Sequence, residues 1–74
     1  MRTLADASRI RLLRLLVDEE LTVAELSAIT RLKQPRVSTH LAKLRDAGLV
    51  VDRRAGVAAY YRCPLDELAE PVRR

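Results

Sequence analysis

A mainly α-helical domain closed by a small β-hairpin is the fold class this sequence predicts, and three observations carry it. Thr22 and Glu25 form a Ser/Thr-x-x-Glu capping box at the head of an apolar run. Gln34-Pro35 opens a second helical stretch that Gly48 stops. Leu49 to Cys63 folds back on itself, with Arg53, Arg54 and Gly56 expected at the tip. Helix, tight turn, helix and basic hairpin, in that order, are the plan of a winged helix-turn-helix: a three-helix core plus a two-stranded wing. One domain is expected over 1–74, with the helix-turn-helix at about 22–47 and the wing at about 49–63.

The first helix is predicted from Asp6, whose side chain suits an N-cap, to about Val17. Ile10, Leu13, Leu16 and Val17 fall on one side, and Arg11, Arg14 and Asp18 on the other. Leu12 and Leu15 widen the apolar arc beyond what one neighbouring helix covers. Such a helix is either central to its own domain or leaves part of its arc to elements outside the motif, such as dimer helices. The second alternative is favoured. Arg9 falls within this arc; it snorkels out or reaches a DNA phosphate, and both readings stay open.

Asp18-Glu19-Glu20 is an acidic connector. Leu21 and Leu26 are placed to staple the start of the second helix, which ends near Ile29-Thr30. Arg31-Leu32-Lys33 makes the turn, with Leu32 pointing inward. The third helix spans about Gln34 to Ala47, with Pro35 in its first turn, where amides lack intrahelical partners. Val37, Leu41 and Leu44 form its buried stripe. Two strands follow, Leu49-Val50-Val51 and Val57 to Cys63, joined by a two-residue Ala55-Gly56 turn. Tyr60 and Tyr61 alternate, so one packs on the core and the other faces out. Pro64 to Glu70 begins another helix, which Pro71 cuts short.

Composition narrows the class. There is no Phe or Trp, so the core must be aliphatic. The lone Cys63 cannot form an internal disulfide and fits a reduced, cytoplasmic setting. No apolar run approaches the roughly 20 residues of a membrane span, and no signal peptide is visible. The net charge is +4, and its distribution is uneven. Residues 1–32 balance five Arg against five acids, whereas residues 33–62 set seven Lys/Arg against two Asp. The excess therefore lies on the third helix and the hairpin. That localisation favours a polyanionic partner through counterion release over a merely solvated charged face.

With the apolar stripe inward, the helical period turns Pro35, Thr39, Ala42, Lys43 and Asp46 outward, with Gln34, Arg36, Ser38, His40 and Arg45 on the flanks. Gln pairs bidentately with adenine and Arg with guanine. Ser38 and Thr39 reach a base edge or a phosphate, and Lys43 suits phosphate. Arg53 and Arg54 sit where a wing straddles the neighbouring backbone or minor groove.

The pattern resembles the ArsR/SmtB family of bacterial winged-helix repressors. Leu4-Ala5-Asp6-Ala7-Ser8-Arg9-Ile10-Arg11-Leu12-Leu13 and Glu20-Leu21-Thr22-Val23-Ala24-Glu25-Leu26 carry the resemblance. So do Gln34-Pro35-Arg36-Val37-Ser38-Thr39-His40-Leu41, Leu44-Arg45-Asp46-Ala47-Gly48-Leu49-Val50, and Arg53-Arg54-Ala55-Gly56 with Tyr60-Tyr61-Arg62. The resemblance implies a homodimer that binds an operator dyad in double-stranded DNA and releases it when an effector binds. It assigns Gln34, Arg36, Ser38, Thr39 and His40 to the DNA-reading end of the recognition helix, and Arg53 and Arg54 to the wing. The family usually carries Ser or Thr before the Gln-Pro pair as a helix cap. Lys33 stands there instead, so a cap is lost and a phosphate-seeking cation gained. Metal-sensing members commonly carry a Cys-x-Cys pair where this chain has Thr22 and Ala24. Another family site uses Asp, His and Glu on a later helix, but the single His here lies on the recognition helix. No metal site or cofactor is expected.

Blander readings stand beside these. His40 either bonds a phosphate or is a half-buried residue bonded within the motif. Ser38 and His40 face different ways and make no hydrolytic pair. Cys63 reads as a small strand hydrophobe. Asp66, Glu67 and Glu70 read as a helix start and its solvated face, not paired catalytic acids. The expected function is sequence-specific DNA binding by a transcriptional regulator, a repressor of the ArsR type and not an enzyme. Its rivals are a winged-helix module that binds a protein and a regulatory module appended to a larger enzyme such as a methyltransferase. A piece of such a fusion and a naturally minimal family member both fit the chain's ends.

Overall fold

The elements are α1 (Leu4–Asp18), α2 (Val23–Thr30), α3 (Gln34–Asp46), β1 (Val51–Ala55) and β2 (Ala58–Arg62). The structure is a computed structural model and describes residues 4–65. The helix expected after Pro64, with Asp66, Glu67, Glu70 and Pro71, lies outside the described residues.

Helix α1 begins at Leu4, so Asp6 lies inside its first turn and is not the N-cap expected. Leu4 and Ala5 are good helix formers and extend the helix past the anticipated start. The buried face also differs from the expected one. Leu12 and Leu16, one turn apart, are fully buried, and Leu13 and Leu15 are half-buried against the core. Ile10 and Val17 are exposed at 41% and 42%. The inward face is centred on Leu12 because α3 and β2 both pack on that side of the helix.

The start of α2 follows the sequence rules. Thr22 Oγ1 accepts from the Glu25 amide at 3.1 Å, and the Thr22 amide donates to Glu25 Oε1 at 2.9 Å. Leu21 and Leu26 are buried on either side of this box, as a hydrophobic staple requires. The helix ends at Arg31, whose φ of +67° is the left-handed conformation that favours glycine. Its amide donates to the Ser27 carbonyl at 2.8 Å. Side chains hold the turn that follows. Thr30 Oγ1 donates to the Leu26 carbonyl at 2.7 Å and accepts from the Leu32 amide at 3.2 Å. The Ser27 hydroxyl donates to the Leu32 carbonyl, and Leu32 packs half-buried on the core.

Helix α3 ends in a Schellman motif. The Leu49 amide reaches the Leu44 carbonyl and the Gly48 amide the Arg45 carbonyl, each at 2.9 Å, with Gly48 at φ +79°. This arrangement commits Leu49 to the cap, so β1 starts at Val51 and not at Leu49.

The strands pair antiparallel, Val51 with Arg62 through Ala55 with Ala58. The turn is therefore Gly56-Val57, one residue later than Ala55-Gly56. Gly56 takes φ +64° while Val57 stays negative, the sign pattern of a turn with glycine in the first central position. Arg53 and Arg54 accordingly lie within β1 and not at the tip, which is formed by Gly56 and a fully exposed Val57. The hairpin is tied to the helices by backbone. Leu21 and Tyr61 exchange two hydrogen bonds at 3.0 and 2.8 Å, and the Cys63 amide reaches the Leu16 carbonyl at 3.0 Å. The core is aliphatic: Leu12, Leu16, Leu21, Leu26, Val37, Leu41, Leu44 and Val50, with Cys63 at its edge.

Candidate nucleic-acid interface

The stripe that anchors α3 decides which of its residues face solvent. Val37, His40, Leu41 and Leu44 are buried, at the i, i+3, i+4, i+7 spacing of a helix laid on a core. Gln34, Pro35, Arg36, Ser38, Thr39 and Lys43 are all exposed. They form one polar, cationic face at the leading end of the helix. No side chain caps that end. Lys33 is the N-cap residue, and only its carbonyl is engaged, by the Arg36 and Val37 amides at 2.9 and 3.0 Å. The positive end of the helix dipole is left to solvent there. Thr39 turns its hydroxyl back onto the Pro35 carbonyl at 3.0 Å.

His40 departs from its expected flank position. It is 6% exposed, and neither ring nitrogen finds a hydrogen-bond partner among the described residues. It is therefore not the bonded, half-buried residue of the blander reading. An unpaired buried polar group costs about 1–3 kcal/mol. Burial, then Arg9, Arg36 and Lys43 nearby, hold its pKa below the usual imidazole value, so the ring stays neutral. Its place in the stripe was legible: residue 40 stands three after Val37 and four before Leu44.

Above His40 is an open cleft lined by Arg9, Lys33, Pro35, Arg36, Thr39, His40 and Lys43. Its volume of about 540 Å³ is that of a ligand cleft and not of an ion cage. Arg9 of α1 thus meets the leading end of α3. Four of the described residues that line it, Arg9, Lys33, Arg36 and Lys43, are cationic.

The wing is different. Arg53 donates from Nε and Nη2 to the two carboxylate oxygens of Glu20, each at 2.8 Å, and its guanidinium lies 5.1 Å from the centre of the Tyr60 ring. This bidentate pair holds the Glu20 carboxyl below its ordinary pKa and raises that of Arg53. Tyr61, on the other face, packs on the core. Arg54 is exposed, with no ion-pair partner among the described residues. Arg45 and Asp52 approach to 3.6 Å at the foot of the hairpin. Neither ion pair was foreseen, since the first joins residues 33 apart in sequence.

Among the described residues no group of three or more His, Cys, Asp or Glu could hold a metal, and Thr22 is committed to its cap. Burial pushes the Cys63 thiol up, away from reactivity. No helix is long and apolar enough to cross a membrane, among the described residues.

Residues 6–51 match the family model described as bacterial regulatory protein, arsR family. The chain belongs to the ArsR family of bacterial regulatory proteins. This ArsR-family chain is 48% identical to arsenic resistance transcriptional regulator ArsR1 of Pseudomonas putida, over 82% of its own length and 48% of that protein. It is 40% identical to the arsenical resistance operon repressor of Escherichia coli, over 82% of its length and 53% of the repressor. Its fold superimposes on a homodimeric winged helix-turn-helix DNA-binding domain from Mycobacterium bovis with a TM-score of 0.79. That match has 33% identity and covers 90% of this chain and 62% of the other. The chain spans about half the length of the curated relatives it matches.

Proposed function

We propose that this chain is the DNA-reading domain of a transcriptional repressor that acts as a homodimer in the cytoplasm. The observation that carries the reading is the leading face of α3, where a continuous polar and cationic surface stands out from an anchored helix. Gln34 and Arg36 are the bidentate base readers, Pro35 lets the backbone come close, and Ser38 and Thr39 meet base edges or phosphates. Lys43 serves a phosphate, and His40, which the sequence placed among the contacts, is buried beneath this face and helps to seat the helix. Arg54 and Arg53 grip the flanking strand from the wing. Two copies would read half-sites about one helical turn apart. The whole of 1–74 acts as one module with no catalytic, metal or cofactor role of its own.

Support for this reading comes from family membership and from relatives described as a repressor and as a homodimeric DNA-binding domain. Selection of bound duplexes from a random pool, followed by gel shifts at two salt concentrations, tests it. A recovered inverted repeat with affinity that falls steeply with salt is expected. No enrichment, or binding indifferent to salt, would refute it.

A further inference from the structure

Strand β1 buries none of its five residues, and β2 is half-buried along its whole length. A two-stranded hairpin is marginal by itself, so its orientation depends on what ties it to the helices. Backbone does this at the base. Leu21 and Tyr61 exchange hydrogen bonds at 3.0 and 2.8 Å, and the Cys63 amide reaches the Leu16 carbonyl at 3.0 Å. Both ties lie at the end of β2. They fix where the hairpin leaves the body more firmly than the angle at which it projects. Side-chain charges act on that angle from two sides. Successive residues of a strand point to opposite faces. Asp52 stands opposite Tyr61, which packs on the core, and Arg53 stands opposite Tyr60. On the first face Asp52 meets Arg45, in the last turn of α3, at 3.6 Å. On the second, Arg53 meets Glu20 of the α1–α2 connector through two bonds of 2.8 Å. Neighbouring residues of one strand are thus held by opposite charges on the two sides of the sheet, and one of those charges belongs to α3 itself. An exposed ion pair shifts an equilibrium by up to about fivefold. That is too little to hold a core together and enough to bias a hinge.

We propose that Glu20 and Asp52 are positioning residues: with Arg53 and Arg45 they form a two-sided clasp that sets the angle of the wing to α3, and so makes the wing's phosphate contacts depend on the register that α3 takes on the bases. Neither carboxylate touches DNA. A clasped wing delivers its cations to a phosphate only where α3 is seated on its own site, because phosphate contacts carry register and not sequence. An unclasped wing swings to whichever phosphate is near, and random duplex gains more from that freedom than the specific site does. The clasp therefore acts on discrimination. The inference rests on the reading of α3 and the wing as the DNA-binding surfaces.

Residual dipolar couplings of the free full chain at low salt read the angle of the wing. In wild type the amides of β1 and β2 should fit the same alignment as those of α1 and α3. In the double variant Glu20→Gln/Asp52→Asn they should fall out of that alignment while the helix couplings stay as they were. Strand couplings identical in the two proteins overturn the proposal. Binding to specific and random duplexes is then compared. Each single variant removes a negative charge and should bind both duplexes more tightly at low salt, but random duplex gains more. The ratio of specific to random affinity should fall roughly two- to fivefold in each. A plain charge effect or a folding defect acts on both duplexes alike, so an unchanged ratio also overturns the proposal. The exchanged pair Arg45→Asp/Asp52→Arg keeps the net charge and rebuilds the contact in reverse. It should recover the wild-type ratio, and a ratio no better than that of Asp52→Asn counts against the clasp. Differences between variants and wild type should close as salt is added, because exposed pairs are screened. Should wild type bind no duplex, the function proposed above fails, and the dipolar couplings alone decide whether the clasp sets the wing.

Discussion

Glu20 and Arg53 meet fork to fork, two N–H donors on two carboxylate oxygens at 2.8 Å, and so tie the acidic connector between α1 and α2 to the first strand of the wing. The same guanidinium lies over Tyr60. Arg53 keeps its Nη1 donors for a phosphate, but the Glu20 carboxylate beside it offsets its charge and repels an approaching anion. Glu20→Gln should free it and remove a negative charge beside the wing. Duplex affinity should rise roughly two- to fivefold at low salt, with the gain shrinking as salt is added. Unchanged affinity would show that Arg53 stays out of the interface. The Tyr61 amide, bonded to the Leu21 carbonyl beside this pair, should exchange faster in the variant.

Stability should depend on pH through His40. Its folded pKa lies below the unfolded value near 6.5, because the ring is buried and faces Arg9 on α1 and Arg36 and Lys43 on α3. Below about pH 6.5 the unfolded chain takes up a proton that the folded chain refuses, so stability falls with pH in that range. Above it, this group adds no pH dependence. Glu20, whose pKa is lowered by Arg53, contributes stability above the usual carboxylate range that is lost as pH falls through its lowered value. Thermal melts from pH 5 to 8 should show the first effect in wild type and its absence in His40→Leu. That variant also removes two unpaired nitrogens and should be about 1 kcal/mol more stable at pH 7.

Arg31 holds a left-handed backbone that costs an L-residue roughly 1–2 kcal/mol. Arg31→Gly relieves that strain and adds some unfolded-state entropy in return. Chemical denaturation should find it more stable by about 0.5–1 kcal/mol, and Arg31→Val less stable than wild type.

Leu12→Ala removes a side chain with no exposed surface at the centre of the α1 contact. A loss of about 2–5 kcal/mol is expected, enough to unfold much of so small a domain at 37 °C. Val57→Ser, at the fully exposed hairpin tip, should change stability by less than about 0.5 kcal/mol in the same melts.

Arg36 and Lys43 should separate in DNA binding. Arg36→Ala is expected to cost roughly 1–3 kcal/mol on the selected site and to relax base preference there. Lys43→Ala should weaken specific and random duplexes alike and reduce the salt slope by about one. Competition binding against both duplex types reads the two signatures directly.

What sequence alone determined here is what short-range physics controls. The Thr22–Glu25 box, the Leu21–Leu26 staple, the Gly48 stop and the Val37–Leu41–Leu44 stripe each involve residues within a turn or two of one another. Their hydrogen bonds and side-chain spacing are therefore set locally. The exposed leading face of α3 follows from that stripe by helical period alone.

Tertiary structure decided the rest. Which side of the wide α1 arc is buried depended on where α3 and β2 lie, and it chose Leu12 over Ile10 and Val17. The hairpin shifted by one residue because Gly56 takes the positive φ of the first turn position and Leu49 is spent on the α3 cap. That single step moved Arg53 into a strand, where it could find Glu20 from 33 residues away. Arg9 meets His40 and the start of α3 for the same reason. Charges and rings distant along the chain are brought within a few ångströms only when the core has closed, and no local pattern encodes that distance.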